Sequence, residues 1–370
     1  METTTAAVIR ESGGQFQLED LALDDLRPHE IVVRVAGAGI CHTDLICRDQ
    51  WFPVPLPLVL GHEGSGVVEA VGSEVTRVAE GDRVVMSINS CGHCEFCRTA
   101  PPGYCVHHYD LNFSGRRPDG SATLRDRDGT DVNGHFFAQS SFATRAVATE
   151  YNVVKVDDDL PLELLGPLAC GIQTGAGSVF NSLGVKPGSS IAVFGTGAVG
   201  LSAIMAAAAL GATRIIGVDV HDSRLTTATD LGATDVVNGS TTDSAAAIAE
   251  LTDGRGVDYT LETTAVPAVA RQAVESLALL GTCGLVGVPP ARTELALDYH
   301  SVLFGRFVRG IIGGDARAHL FIPLLLDLWR QGSFPFDKLI TTYPLDQINQ
   351  AAHDAETGVA IKPVIVMPTA

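Results

Sequence analysis

Eight cysteines occur in this chain, and four of them crowd into one short segment, Cys91, Cys94, Cys97 and Cys105. Four thiolates at the spacing C-x2-C-x2-C-x7-C can close tetrahedrally on one zinc ion and leave no coordination position open. Such a site staples a loop and offers nothing to a substrate. An iron–sulfur cluster draws on the same ligand type and stays a rival at this point. His93 lies inside the segment and reads as a solvent-facing turn residue.

A second set of metal-binding residues is scattered over three glycine-punctuated turns. They are Gly39-Ile-Cys41-His42-Thr43-Asp44, Gly61-His62-Glu63-Gly64-Ser-Gly66 and Gly166-Pro-Leu-Ala-Cys170-Gly171. Each turn alone is most simply a packed side chain. Together they supply Cys41, His62 and Cys170, a set used by catalytic zinc with three protein ligands and a fourth place open to water or substrate. The expectation is therefore two zinc ions per chain.

A third segment is built for a dinucleotide. Ile191-Ala-Val-Phe runs into Gly195-Thr-Gly197-Ala-Val199-Gly200 and then an alanine-rich stretch, placing G-x-G-x-x-G between a strand and a helix. Gly195 permits the tight turn, Gly197 lets a pyrophosphate approach the backbone, and Gly200 lets helix and strand close together. The helix N-terminus then favours the phosphate charge. Asp219 ends the next strand, Arg214-Ile-Ile-Gly-Val-Asp219. There it is placed to accept from the adenosine ribose hydroxyls and to repel the extra phosphate of NADP, which selects NAD.

These segments need elements to hold them. A length of 370 residues predicts two domains. Residues 1 to about 170 carry short alternating apolar runs (Ile31–Val35, Gly66–Val71, Arg83–Ile88) and predict a β-rich domain. From about 172 to 312, strand-like runs (Ile191–Phe194, Arg214–Val218, Tyr259–Glu262, Gly284–Val288) alternate with helical ones (Ala198–Leu210, Ser223–Leu231, Ala265–Leu279). That alternation predicts an α/β fold with a parallel sheet. The tail from 313 to 370 has a helical stretch, Ala318–Gln331, and a strand, Lys362–Val366. The Gly- and charge-rich stretch Gly115–Gly134 reads as an exposed loop.

The net charge of −18 disfavours nucleic acid and anionic membranes as partners. Met1–Gly14 has no basic stretch followed by an apolar run, and no window reads as a membrane span, so a cytoplasmic protein is expected. In that compartment the cysteines point to metal or catalysis rather than disulfides.

In the order of its pieces the chain resembles the zinc-containing medium-chain alcohol dehydrogenases over nearly its whole length. C-H-T-D is followed by G-H-E-G-x-G, the four-cysteine lobe, G-P-L-A-C-G, the glycine loop and its acid. Within that superfamily it is most similar to the aryl (benzyl) alcohol dehydrogenases, through Cys41-His-Thr-Asp-Leu-Ile-Cys-Arg48 and Asp110-Leu-Asn-Phe-Ser-Gly115. The resemblance implies a GroES-like catalytic domain (1–171 and 313–370, with the structural zinc lobe at about 91–105). It also implies a Rossmann NAD-binding domain (172–312), with the active site in the cleft. It further implies a homodimer or homotetramer that takes a small apolar alcohol or aldehyde.

Roles follow from the same resemblance. Asp44 would fix the tautomer of His62, and Glu63 would lie behind the metal as a transient ligand. Thr43 would hydrogen-bond the substrate oxygen, and His42 would face the cofactor pyrophosphate. Arg224 would touch the adenosine ribose, Lys362 the pyrophosphate and Thr174 the nicotinamide. Zinc takes bound water from pKa ~15.7 to about 7. A comparable shift for an alcohol is worth on the order of 10 kcal/mol, more than the ~10²–10⁴-fold a lone general base contributes. Many relatives pass the proton to a histidine where this chain has Ile46, so His42 or ordered water is expected to take over.

The same resemblance implies Ile46, Trp51, Phe52, Phe136, Phe137, Val288 and Ile311 around the substrate channel, and Ser87, where some relatives have an aromatic residue, would leave room for a ring. Such walls suit benzyl, cinnamyl or geraniol-type alcohols. Phe52 and Tyr109 stand where the glutathione-dependent formaldehyde branch uses charged residues, which argues against that activity. Two other readings remain open. One is an NADPH-dependent zinc reductase of unsaturated aldehydes; the other is a zinc- and nucleotide-binding redox sensor without turnover.

Overall fold

Apolar alternation shapes the amino-terminal strands, because successive side chains point to opposite faces. The computed structural model describes residues 2–368; Met1, Thr369 and Ala370, which the sequence reading gives to the first domain, lie outside it. Two compact units emerge. One holds the chain up to Cys170 with Arg317–Pro323 and the chain from Asp337; the other holds Gly171–Ala316 and Leu324–Phe336.

The first unit carries two mainly antiparallel sheets. In the larger, the order is Val153–Lys155, Arg83–Met86, Gly64–Val71, Glu30–Gly39, Lys362–Val366, Ile340–Pro344, with Arg145–Thr149 also pairing Glu30–Gly39. The strand Lys362–Val366 adds antiparallel to Glu30–Gly39, aligning Val364 with Gly39. In this way the end of the chain completes the sheet that leads into Cys41. Thr3–Ile9, Gln17–Leu23 and three two-residue strands form the smaller sheet. Ile9, Ile31, Leu58, Leu60, Met86 and Phe142 are fully enclosed in the core of this unit.

In the second unit six parallel strands run in the order Asp235–Asn238, Arg214–Asp219, Ser190–Phe194, Val257–Glu262, Leu277–Leu285, Phe307–Gly310. The first strand in sequence, Ser190–Phe194, is central, and the order reverses beside it. This is the doubly wound 3-2-1-4-5-6 pattern, which binds dinucleotides where the order switches. The helices Ala198–Ala209 and Asp222–Asp230 follow the first two strands.

Three expectations differ from the structure. The run Gly284–Val288 is not a strand of its own: the strand spans Leu277–Leu285 and the preceding helix only Pro267–Glu275. Apolar side chains at 277–279 fit either periodicity, and parallel pairing with Val257–Glu262 decides for the strand. The tail from 313 is divided rather than given whole to the first domain. Gly314 packs directly on Gly177, where a Cβ would stand 2.4 Å from the Gly314 carbonyl oxygen, and this holds the turn to the nucleotide unit. The stretch Gly115–Gly134 is not simply exposed. It contains the strands Leu124–Arg125 and Asp131–Val132, and buries Arg117. The Arg117 guanidinium donates to Glu30 Oε1 at 2.7 Å and to Asp24 Oδ2 at 2.7 Å, which satisfies the charge.

Candidate active site and metal centres

The three glycine-punctuated turns converge. Cys41, His62, Glu63 and Cys170 each offer a ligand atom, and these atoms lie within 4.8 Å of one another. Cys41 caps the short helix His42–Arg48, and Asp44 in its first turn reaches back. Asp44 Oδ2 accepts from the Cys41 N–H at 2.9 Å. Asp44 Oδ1 accepts from His62 Nδ1 at 2.8 Å and from the Gly61 N–H at 3.1 Å. One carboxylate therefore positions two of the ligands. With Nδ1 engaged, His62 Nε2 is left buried without a hydrogen-bond partner. A buried polar atom left bare is costly, and beside two sulfurs the donor set fits zinc.

The charges at the site pull its members in different directions, and the Cys170 thiol is pushed well above its ordinary range by Cys41 and by burial. Cys170 donates to Cys41 and holds the Cys41 thiol well below its ordinary range, with help from His62 and Lys362 against burial. Burial alone would lower the His62 imidazole, but Asp44 outweighs it by charge and hydrogen bond and raises it well above 6.5. Burial lifts the Glu63 carboxyl, and the Lys362 ammonium only partly offsets it. The Thr43 hydroxyl sits 3.8 Å from the Cys41 sulfur, while His42 is exposed.

Lys362 requires a correction. The ammonium is 3% exposed. It donates to Glu63 Oε2 at 2.9 Å, Glu63 Oε1 at 3.0 Å and the Ile40 carbonyl at 3.0 Å. Its three protons are spent inside the fold, so none remains for a pyrophosphate. A buried carboxylate beside the metal ligands demands a paired cation, and Lys362 supplies it.

The four clustered cysteines also meet, with their ligand atoms within 4.8 Å of one another. Backbone N–H groups of Cys94 and Cys97 point at the sulfurs of Cys91 and Cys94 at 3.4 Å, and the Cys91 N–H points at Cys105 at 3.4 Å. Donors aimed at sulfur favour the thiolate form that zinc needs; those from Val106 and Cys97 bring Cys94 to about 6. His93 is exposed, with its ring on the Cys91 carbonyl.

In the nucleotide unit Gly195 takes φ +89°, which a side chain would strain. A Cβ at Gly200 would stand 1.8 Å from the Gly195 carbonyl oxygen, whereas one at Gly197 would meet nothing within 4 Å. Val199 lies in the first turn of the helix Ala198–Ala209, and a Cβ on Gly175 would stand 2.0 Å from its carbonyl oxygen. Asp219 Oδ2 accepts from Thr196 N at 2.7 Å and Thr196 Oγ1 at 2.9 Å, and Oδ1 accepts from Val220 N at 2.8 Å and His221 N at 3.0 Å. Burial would raise this carboxyl, but these donors, led by Thr196, hold it below 3.8. Arg224 attracts the Asp219 charge, and its Nε is buried without a partner. Thr174 is buried in the helix Gly171–Gly177.

Residues 27–158 match the alcohol dehydrogenase GroES-like domain family and residues 198–328 the zinc-binding dehydrogenase family. The geraniol dehydrogenase of Castellaniella defragrans is 48% identical over 98% of this chain and 97% of its own. This chain belongs to the zinc-containing alcohol dehydrogenase family. The crystal structure of benzyl alcohol dehydrogenase from Acinetobacter calcoaceticus matches this alcohol dehydrogenase with a TM-score of 0.96, 47% identity and full coverage of both chains. An alcohol dehydrogenase zinc-binding domain protein from Burkholderia ambifaria matches at 0.97 and 52%, again over both whole chains.

The dehydrogenase surrounds His62 with rings. Phe137 stacks on the imidazole at 4.6 Å between centroids and Phe136 meets it edge-on at 5.7 Å. Phe113 continues the wall, 5.0 Å from Phe137 and 4.4 Å from Phe52. Ile46 and Ser87 are buried, the Ser87 hydroxyl donating to the Ala169 carbonyl at 2.9 Å. Trp51 is 68% exposed, Val288 is 54% exposed in a loop, and Ile311 packs on Gly284 within the nucleotide unit. Nothing in the Asp110–Gly115 stretch marks Phe113 as a wall residue in the sequence. Nor does it mark Asn112, which accepts from the Asn89 N–H at 2.9 Å and donates to the Asn89 carbonyl at 3.0 Å, just before the cysteine lobe.

Proposed function

We propose that this alcohol dehydrogenase uses NAD and two zinc ions per chain to interconvert primary aromatic or allylic alcohols and their aldehydes. One observation supports the substrate class: Phe136 and Phe137 pack directly against the His62 imidazole, and would give a carbon reacting beside it flat apolar neighbours. The names of two similar proteins, a geraniol dehydrogenase and a benzyl alcohol dehydrogenase, support the same class.

Cys41, His62 and Cys170 would hold the catalytic zinc, and Cys91, Cys94, Cys97 and Cys105 the structural one. Bound zinc supplies the Lewis acidity that favours loss of the hydroxyl proton. Asp44 keeps the proton of His62 on Nδ1, so that Nε2 faces the metal. The Thr43 hydroxyl, beside the Cys41 sulfur, would relay the proton, taking up the substrate's proton as it releases its own outward. His42, exposed and adjacent in the chain, or ordered water would carry that proton on to solvent, since Ile46 cannot. Asp219 accepts from the ribose hydroxyls and excludes a 2′-phosphate by charge, with Arg224 beside it. Thr174 contacts the nicotinamide. We also propose a cytoplasmic homodimer or homotetramer, as the resemblance to the family implies.

The test is a steady-state panel of benzyl alcohol, cinnamyl alcohol, geraniol and ethanol with NAD and NADP. The expected result is a higher kcat/KM for the first three alcohols, with NAD. A higher value for ethanol overturns the pocket reading. Preference for NADPH with unsaturated aldehydes would favour the reductase instead.

A further inference from the structure

Three residues without the freedom of glycine sit in the left-handed region almost consecutively: Phe137 at φ +51°, Ala138 at +50° and Ser140 at +46°. Side chains rarely adopt such a conformation, and a run of them persists only where surrounding contacts over-determine it. The contacts here are specific. Asn152 Nδ2 donates to the carbonyls of Phe137 and Ala138, both at 3.2 Å. Ser140 Oγ accepts from the Phe136 N–H at 2.9 Å and donates to the Val59 carbonyl at 2.7 Å.

Gln139, between them, is fully buried and faces the metal-ligand turn. Its Oε1 accepts from the Gly64 N–H at 3.0 Å and its Nε2 donates to the His62 carbonyl at 3.0 Å. The side-chain amide thus pairs with the backbone on both sides of Glu63, as a neighbouring strand would. The second amide proton goes to the Met86 carbonyl at 3.2 Å, the last residue of the strand Arg83–Met86. The same turn presents Phe137 to stack on the His62 ring at 4.6 Å and 26°. Asp44 fixes only the Nδ1 edge of that ring, while the Gln139 turn fixes its backbone and one of its faces.

We propose that Gln139 is a positioning residue that locks the His62 backbone to the left-handed Phe136–Ser140 turn. It thereby sets the ligand geometry at the catalytic metal and the aromatic wall together. The wall half of this statement rests on the aromatic-alcohol reading above; the metal half does not.

The experiment replaces catalytic zinc by cobalt(II) in the full-length enzyme and in two variants. Gln139→Glu keeps the acceptor for Gly64 and removes both donors, and Gln139→Met removes every hydrogen bond at similar length. Should one variant fail to accumulate, the other decides. The expected result is a shifted cobalt visible absorption band, with the ratio of kcat/KM for benzyl alcohol to that for propanol reduced at least 10-fold. A merely structural residue would lower Tm and slow both alcohols alike. An unchanged cobalt band in a folded variant overturns the proposal, as does an unchanged ratio. If the parent enzyme itself does not favour benzyl alcohol, the aromatic reading falls, and the cobalt band alone then decides on Gln139.

Discussion

Asp44→Asn removes a charge and an acceptor from a site that serves three buried donors. Asp44 Oδ1 takes His62 Nδ1 and Gly61 N, and Oδ2 takes Cys41 N. Asparagine has one acceptor oxygen. If that oxygen keeps His62 and Gly61, the amide nitrogen meets the Cys41 N–H and two donors confront each other; the opposite flip strands two donors. One stranded buried donor costs ~1–3 kcal/mol. Independently, losing the partner of a metal-bound histidine costs about 10–100-fold in metal affinity, which is roughly 1.4–2.7 kcal/mol. The two routes agree in size. Titrating zinc-loaded enzyme with a chelator, while following metal content and kcat/KM, measures the effect. In the variant the catalytic zinc should leave at free-chelator concentrations about 10–100-fold lower, and the cysteine lobe should keep its ion. A variant that releases both ions at the parent's midpoint refutes the role given to Asp44.

Three further outcomes are expected. Cys97→Ser should leave one zinc per chain by elemental analysis and lower Tm by at least ~5 °C, since a structural site contributes folding energy directly; two retained ions would contradict the four-thiolate lobe. Asp219→Ser should lower the NAD-to-NADP ratio of kcat/KM by at least ~10-fold through loss of the repelling charge; an unchanged ratio would separate this carboxylate from cofactor choice. His135 is 2% exposed, and both of its ring nitrogens lack partners. Burial lowers it from 6.5 to about 4, against the pull of Glu30 and Asp119 and with the push of Arg117. The unfolded chain therefore binds the extra proton first. The His135 contribution to stability should fall as pH drops from 6.5 to about 4, by ~3 kcal/mol, and change no further below. Thermal scans of His135→Leu should show a flatter decline over that window, and parallel curves would dismiss the effect.

Legibility in the sequence followed the range of the interaction. The cysteine lobe and the glycine loop are local, so spacing alone conveys their chemistry. The Cys41–His62–Cys170 site is not local, and composition would have left three isolated residues; only the order of the motifs joined them. The resemblance gives Lys362 to the pyrophosphate, and nothing local in the sequence marks the residue as buried. Its burial depends on the strand pairing with Glu30–Gly39, which brings it beside Glu63. Arg117 was missed for the same reason, its partners Glu30 and Asp24 being distant in sequence. The left-handed turn at Phe137 and Ala138 had no signal at all, as neither residue type advertises positive φ.

The latch between Asp219 and Thr196 bears on how a nucleotide is received. With Thr196 N and Oγ1 already gripping the carboxylate, the Gly195–Gly200 loop is shaped before any visitor arrives. The entropy of ordering it was settled at folding and is not charged to the encounter. Under the role proposed for Asp219, a ribose would share or displace the threonine, so its hydroxyls would contribute only the difference between two sets of hydrogen bonds. Such an exchange favours brisk loading and unloading over tight retention, which suits a carrier of hydride that has to leave after every turnover.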